Sequence, residues 1–150
     1  MITVTPYKGI DNITFTMTFS EVCNFLKSNK ITYTTETWPN KGCSPEVPWN
    51  IIRIGTEISI FFANDKMFKI YLENNFEGAL ENGISLGMSI KDACKIDPSI
   101  SYDDWEEIYT SEQGYWLEDD IESAKIISIT VFIKELENED LFFRYEWLES

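Results

Sequence analysis

Residues 50–73 read NIIRIGTEISIFFANDKMFKIYLE, three apolar runs that are rich in β-branched and aromatic side chains. The runs cover residues 50–54, 57–63 and 66–73, and the dipeptides Gly55-Thr56 and Asn64-Asp65 separate them. Two-residue connections of this composition are typical of tight β-hairpins. The stretch therefore predicts a three-stranded antiparallel meander, on which the rest of a sheet is built.

Four further segments are predicted as strands. Residues 125–134 are almost continuously apolar, which indicates a strand covered on both faces and hence a central position in the sheet. Residues 12–17 alternate apolar and polar side chains, as a half-buried strand does. Residues 114–118 and the aromatic-rich residues 141–148 are predicted as two more strands, the second of which closes the chain.

Two short helices are predicted from their capping signals. Thr18 and Glu21 fit a capping box at the start of a helix that runs to about residue 28. Ser89 and Asp92 fit the start of a second helix through about residue 95, and Asp97-Pro98 stops it.

Residues 101–108 are predicted to form a further helical turn around Trp105, and the proline-rich residues 34–49 to form an irregular loop. The tally is six or seven strands and two or three short helices. The predicted fold class is α+β, a single domain over residues 1–150 with a mainly antiparallel sheet on which the helices pack.

Negative charge is concentrated in the last third of the chain. The protein has 26 acidic and 12 basic residues, a formal net charge of −14. Residues 101–150 hold 15 of the acidic residues but only Lys125, Lys134 and Arg144 as basic ones. Nucleic-acid phosphates and anionic membrane surfaces repel such a chain. We therefore expect neither nucleic acid nor a membrane as its partner.

Cysteine usage favours a reducing compartment. Cys23, Cys43 and Cys94 are odd in number and widely spaced, and Cys23 and Cys94 fall on the predicted helices as small core residues. The first residues lack the basic region and apolar run of a signal peptide, and no apolar stretch is long enough to span a membrane. The sequence predicts a cytoplasmic protein.

The chain contains no histidine, which excludes Ser-His-Asp triads and imidazole-based zinc sites. It also lacks a glycine-rich phosphate loop, and Gly83 and Gly87 are interpreted as turn positions before the second helix. Acid–base chemistry would then depend on carboxylates, lysines or tyrosines. We therefore predict a protein that is not an enzyme, with no catalytic residue, metal or cofactor.

The candidate site is an acidic face in which aromatic rings are interleaved. Densely packed like charges destabilise a surface unless a basic partner offsets them, and tyrosine and tryptophan are enriched where interfaces concentrate their binding energy. Glu135, Glu137, Glu139 and Asp140 form a third acidic group, and for all three groups the alternatives are solvated loop charge, a metal or catalytic site, and a partner-binding face. The predicted partner-binding residues are Asp103, Asp104, Trp105, Glu106, Glu107, Tyr115, Trp116, Glu118, Asp119, Asp120 and Glu122.

Three segments carry a resemblance to a known class of proteins: GISLGMSIKD at residues 83–92, GYWLEDD at 114–120 and IISITVF at 126–132. With its small size, acidity and lack of histidine, the chain resembles the bacterial immunity proteins encoded beside contact-dependent growth-inhibition and related polymorphic toxins. The resemblance covers about a third of the sequence and transfers no binding residue by position. It implies a single cognate toxin domain, often a basic nuclease, whose active site is blocked by binding.

Two other functions fit the same residues. A general protein-interaction or regulatory domain would offer the acidic face to a different basic partner. A carboxylate-dependent hydrolase would use paired carboxylates to hold Mg²⁺ or Ca²⁺, or to cleave a glycosidic bond. Binding could use loop side chains or an exposed sheet edge, and no oligomeric state is predicted.

Overall fold

The computed structural model describes residues 2–149. Within them the strands are β1 (Thr3–Thr5), β2 (Gly9–Ile10), β3 (Ile13–Thr14), β4 (Thr34–Trp38), β5 (Trp49–Ile54), β6 (Ile58–Ala63), β7 (Lys66–Glu73), β8 (Ala79–Leu80), β9 (Ser101–Asp103), β10 (Ile108–Ser111), β11 (Tyr115–Asp119) and β12 (Ile126–Phe132). The helices are α1 (Phe19–Ser28), α2 (Ile90–Ile96) and α3 (Glu139–Phe142), and 3₁₀ turns cover Lys134–Glu137 and Glu146–Glu149. Every helix in this part of the chain is too short or too polar to cross a membrane.

The strands form two sheets. The large sheet has the order β4-β5-β6-β7-β12-β11-β10-β9, and its neighbouring strands are antiparallel. The small sheet has the order β3-β2-β1-β8, in which β1 and β8 run parallel. The predicted α+β class is confirmed, although residues 2–149 contain twelve strands where six or seven were expected.

The meander over residues 50–73 is confirmed. β5, β6 and β7 pair in sequence, with Ile52 directly opposite Ile60. Asn64 and Asp65 connect β6 to β7 with positive φ angles of 44° and 69°. Two successive residues of positive φ match the right-handed twist of the flanking strands, which explains why a short polar dipeptide closes this hairpin.

β12 lies between β7 and β11 near the middle of the large sheet, as its apolar run predicted. Ile129 and Val131 are buried in a first hydrophobic core, and Phe132 is buried in a second core on the opposite face of the sheet. The strand is therefore buried on both faces, and Ser128 and Thr130 are buried on the same face as Phe132.

The first core lies between the large sheet and a layer made of α1, α2 and the small sheet. The predicted capping box of α1 is present: Glu21 N donates to Thr18 Oγ1 at 3.2 Å, and Thr18 N donates to Glu21 Oε1 at 3.0 Å. Leu26 of the same helix is fully buried. Ser89 begins α2 by accepting a hydrogen bond from Asp92 N at 3.1 Å. Both helices thus begin where the sequence predicted.

The second core lies beneath the C-terminal segment. The prediction of a final strand over residues 141–148 of this segment is wrong. This segment contains the end of α3 and a 3₁₀ turn. The ring of Phe142 lies 5.0 Å from that of Trp147 and 5.8 Å from that of Tyr145. Alternation along a strand would send neighbouring rings to opposite faces, whereas the helical turns bring these three rings together against the sheet.

Residues 101–108 form a hairpin, so the predicted helical turn around Trp105 is wrong. Tyr102 of β9 and Tyr109 of β10 are opposite each other, with ring centroids 4.9 Å apart. Cross-strand pairs of aromatic rings stabilise sheet pairing, and here they outweigh the local helical preference.

The predicted loop over residues 34–49 begins with an edge strand, β4, which pairs with β5. All five residues of β4 are exposed, so no alternation of buried and exposed side chains marks this strand. Trp38 of β4 stacks on Trp49 with ring centroids 6.0 Å apart, and Trp49 packs on Phe68 of the second core. The predicted strand over residues 12–17 is shorter than expected, because only Ile13–Thr14 pair as β3.

Candidate functional site

Two of the predicted acidic groups lie in connections at the same end of the large sheet. The β9–β10 turn covers residues 104–107 and the β11–β12 connection covers residues 120–125. Because these four strands alternate in direction, both connections leave the sheet at one end, and the β10–β11 turn lies at the other. With neighbouring strands about 4.8 Å apart, the two connections are about 10 Å from each other. We call residues 103–107 and 119–125 the acidic end.

The β9–β10 turn is held by its first carboxylate. Asp103 Oδ1 accepts hydrogen bonds from Trp105 N at 2.9 Å and from Glu106 N at 3.2 Å, and Asp103 O accepts one from Glu107 N at 2.8 Å. Asp103 therefore braces the turn. The side chains of Asp104, Trp105, Glu106 and Glu107 are exposed to solvent.

The β11–β12 connection is braced in the same manner by Asp120. Its carbonyl oxygen accepts a hydrogen bond from Ala124 N at 2.7 Å, and its Oδ2 accepts one from Ser123 Oγ at 2.9 Å. Asp120 N donates to Lys125 O at 2.9 Å. Glu122 is exposed beside it. Both connections are therefore ordered by their own hydrogen bonds.

A groove of about 230 Å³ separates the β9–β10 turn from the segment that follows β12. Trp116 lines it, half-buried, with its ring 4.5 Å from that of Phe132. Burial raises the pKa of Glu139 on the far wall, and the carboxylates of Glu106 and Asp103 raise it further. The groove therefore has a negative potential that a cationic group would relieve. Its lining residues are Asp103, Trp105, Glu106, Ile108, Thr110, Trp116, Leu136, Glu137 and Glu139.

Tyr115, a predicted partner-binding residue, belongs to the core, so its assignment to the surface is corrected. Its side chain is 1% exposed. The hydroxyl donates to Asp97 Oδ2 at 2.5 Å and accepts from Asn82 Nδ2 at 3.3 Å. Burial and the bond to Asp97 raise the pKa of Tyr115 to about 12. Its spacing of two from Leu117, another buried residue of β11, is the sequence signal that places it on the inner face.

Glu118 and Asp119 are adjacent in sequence but lie on opposite faces of the large sheet. Glu118 is half-buried and accepts hydrogen bonds from Tyr71 Oη at 2.9 Å and from Ser128 Oγ at 2.6 Å. Asp119 lies near Tyr109, whose pKa is raised by burial and then by this carboxylate. The predicted cluster over residues 118–122 is therefore divided, and Glu118 stabilises strand pairing.

A lysine of β7 lies on the same face of the large sheet as Glu118. Lys69 Nζ is 4.3 Å from the ring centroid of Phe61, an arrangement in which the ring faces the cation. Burial lowers the pKa of Lys69, and the charges of Glu139 and Glu118 oppose that shift. Within residues 2–149, no group of three or more acidic or cysteine side chains is arranged to hold a metal ion.

Ile121 is 93% exposed between Asp120 and Glu122 and was not among the predicted partner-binding residues. Ile121 is the single apolar residue in the acidic run EDDIES, residues 118–123, and it fits no alternating or helical pattern. This isolation is the sequence signal that could have indicated an exposed apolar side chain. Glu137 and Glu139 were not predicted either, because nothing in the sequence places the segment after β12 opposite the β9–β10 turn.

Comparisons with known proteins found no similarity to draw on: no protein-family model, no curated protein and no solved structure matches the chain.

Proposed function

We propose that this protein is an immunity protein that binds and neutralises a cognate basic toxin domain, such as a nuclease, through its acidic end. The observation that carries the proposal is the position of the two braced acidic connections at one end of the large sheet. As part of the same proposal, the protein acts in the cytoplasm without catalysis or a cofactor, and binds neither nucleic acid nor membranes.

Electrostatics supports a basic partner. Residues 101–150 carry 15 acidic and three basic residues, and Lys125 is the basic residue that lies in the acidic end. Repulsion within such a surface destabilises the free protein, and a bound cationic surface offsets that cost. Complementary charge also steers diffusion, which raises association rates at low salt by factors of about 10 to 10³.

The groove beside the acidic end supports the same function. Trp116 offers a half-buried aromatic ring, and carboxylates from the β9–β10 turn and from Glu139 surround it. An arginine or lysine side chain is the ligand that such a combination binds best, because the ring face and the carboxylates both attract a cation.

A charge-reversal experiment tests the proposal. The triple variant Asp104→Lys, Glu107→Lys, Glu122→Lys changes exposed residues of the acidic end and leaves the bracing Asp103 and Asp120 intact. A matched control, Glu81→Lys, Glu112→Lys, Glu146→Lys, changes the net charge equally with exposed residues elsewhere on the molecule.

The partner in the assay is the toxin domain of an exported toxin whose gene neighbours this protein's gene, and the absence of such a gene would favour a different basic partner. We expect the wild-type protein to protect a bacterial host that produces this domain. The acidic-end variant should associate at least tenfold more slowly at low salt, with the difference shrinking as salt screens the charges. An acidic-end variant that associates and protects like the control would contradict the proposal.

A further inference from the structure

Two large apolar side chains project from the acidic end into solvent. Trp105 is 91% exposed in the β9–β10 turn, and Ile121 is 93% exposed in the β11–β12 connection. Both are far more exposed than the apolar residues of the two cores. Neither is needed to bury apolar surface within this chain.

The backbone holds both side chains outward. The Asp103 carboxylate accepts the backbone N–H of Trp105 itself, and the bond from Ala124 N to Asp120 O closes the connection around Ile121. Side chains on ordered turns lose less conformational entropy on binding than side chains on mobile loops. The two connections that carry them are about 10 Å apart, so both residues fit within one interface, since a standard interface buries about 800 Å² on each partner.

Charge restricts what these side chains can contact. The exposed carboxylates Asp104, Glu106 and Glu107 flank Trp105, and Asp120 and Glu122 flank Ile121. A lipid surface would have to desolvate these charges as the apolar tips entered it, and anionic lipid would repel them. A protein surface avoids both costs if its apolar depressions are bordered by lysine or arginine.

The geometry points to Trp105 and Ile121 as the two anchors of the protein interface, which enter two apolar depressions that basic residues surround on the toxin domain. This assignment rests on the proposed function and names the residues that hold the complex together once charge has brought the partners into contact. Buried aromatic anchors within a rim that excludes water dominate the energetics of protein interfaces. The carboxylates therefore govern association and the two anchors govern dissociation.

The test compares dissociation rates of the complex with the adjacent toxin domain, measured by surface-immobilised binding kinetics. For Trp105→Ala and Ile121→Ala we expect association rates within about threefold of wild type and dissociation rates about 30-fold faster for the tryptophan and about tenfold faster for the isoleucine. Ile31→Ala is the control, because Ile31 is also an exposed apolar residue but follows α1, away from the acidic end and the groove. Both anchors are almost fully exposed, so their removal leaves the melting temperature unchanged.

Three outcomes overturn the assignment, and they differ from one another. Wild-type protein that does not bind the toxin domain refutes the proposed function and the anchors with it. Wild-type binding with unchanged dissociation of both alanine variants refutes the anchors alone. Binding of the wild-type protein, but not of the variants, to phosphatidylcholine vesicles would reassign the two side chains to membrane contact.

Discussion

Replacing Asp97 by alanine should be among the most destabilising changes in the chain. Asp97 is 1% exposed, and its carboxylate accepts hydrogen bonds from Tyr115 Oη at 2.5 Å, from Ser99 N at 3.0 Å, from Ser99 Oγ at 2.7 Å and from Ser111 Oγ. These bonds tie the end of α2 to β10 and β11. Ser111 and Tyr115 flank the β10–β11 turn, so the bonds hold the end of the sheet that lies opposite the acidic end.

The magnitude follows from what each donor loses. The Tyr115 hydroxyl is deeply buried, so the loss of a hydrogen bond to a charged group there costs about 1.5–3 kcal/mol. Ser99 and Ser111 are less buried and regain water, which adds about 1 kcal/mol in total. We therefore expect Asp97→Ala to lower the free energy of unfolding by roughly 2.5–4 kcal/mol.

Urea denaturation monitored by tryptophan fluorescence measures this change, with an unchanged m-value as the sign that the same surface is exposed on unfolding. Tyr115→Phe supplies the matched variant, and the double mutant should show a coupling energy of about 1.5 kcal/mol or more. A loss below about 1 kcal/mol for Asp97→Ala, with no coupling to Tyr115→Phe, would refute the reasoning.

The pH dependence has a definite sign. Burial raises the pKa of Asp97, but the bonds from Ser111, Tyr115 and Ser99 outweigh it, so the pKa in the folded protein is lower than usual. A lowered carboxyl pKa stabilises the fold above the unfolded-state pKa of about 3.9, and that stabilisation is lost as the pH falls through the folded-state value. The difference between wild type and Asp97→Asn should therefore shrink in acid.

Three further predictions concern local structure. Thr18→Ala removes the capping hydrogen bond to Glu21 N and should cost about 1 kcal/mol in thermal or urea unfolding, whereas Thr16→Ala, outside the helix, should cost less. Gly9 has a φ of +137° and an added Cβ would lie 2.1 Å from Ile13 O, so Gly9→Ala should lower the free energy of unfolding by about 3 kcal/mol or more. Gly83→Ala is the control: its φ is +96° but open space surrounds it, so the loss should be only about 1 kcal/mol. Equal losses for the two variants would contradict the steric argument. Lys69→Met removes a buried cation, and burial lowers the pKa of this lysine. The free energy of unfolding near pH 7 should therefore stay equal or rise by up to about 1 kcal/mol. A marked decrease would show that Glu139 and Glu118 stabilise the charge of Lys69.

Local sequence determined the parts of the fold whose signals are short in range. The Asn64-Asp65 turn closes its hairpin through the backbone conformations of two residues, and Thr18 and Glu21 satisfy each other's backbone donors within one helical turn. The largely apolar run of β12 predicted its central position because a strand between two cores is buried on both faces. None of these conclusions needed a partner that is distant in sequence.

Tertiary structure decided which charged and aromatic side chains share a surface. Composition alone showed that residues 101–150 are strongly acidic. The pairing of β9 to β12 then placed two acidic turns at one end of the sheet. It also turned Glu118 to the opposite face from Asp119 and buried Tyr115 against Asp97. The C-terminal aromatic residues left the sheet because helical turns bring Phe142 and Trp147 to one side, which strand alternation prevents. Charge and hydrophobicity are properties of each residue, whereas a shared surface depends on strand register and on contacts between distant segments, and those are fixed only when the whole sheet assembles.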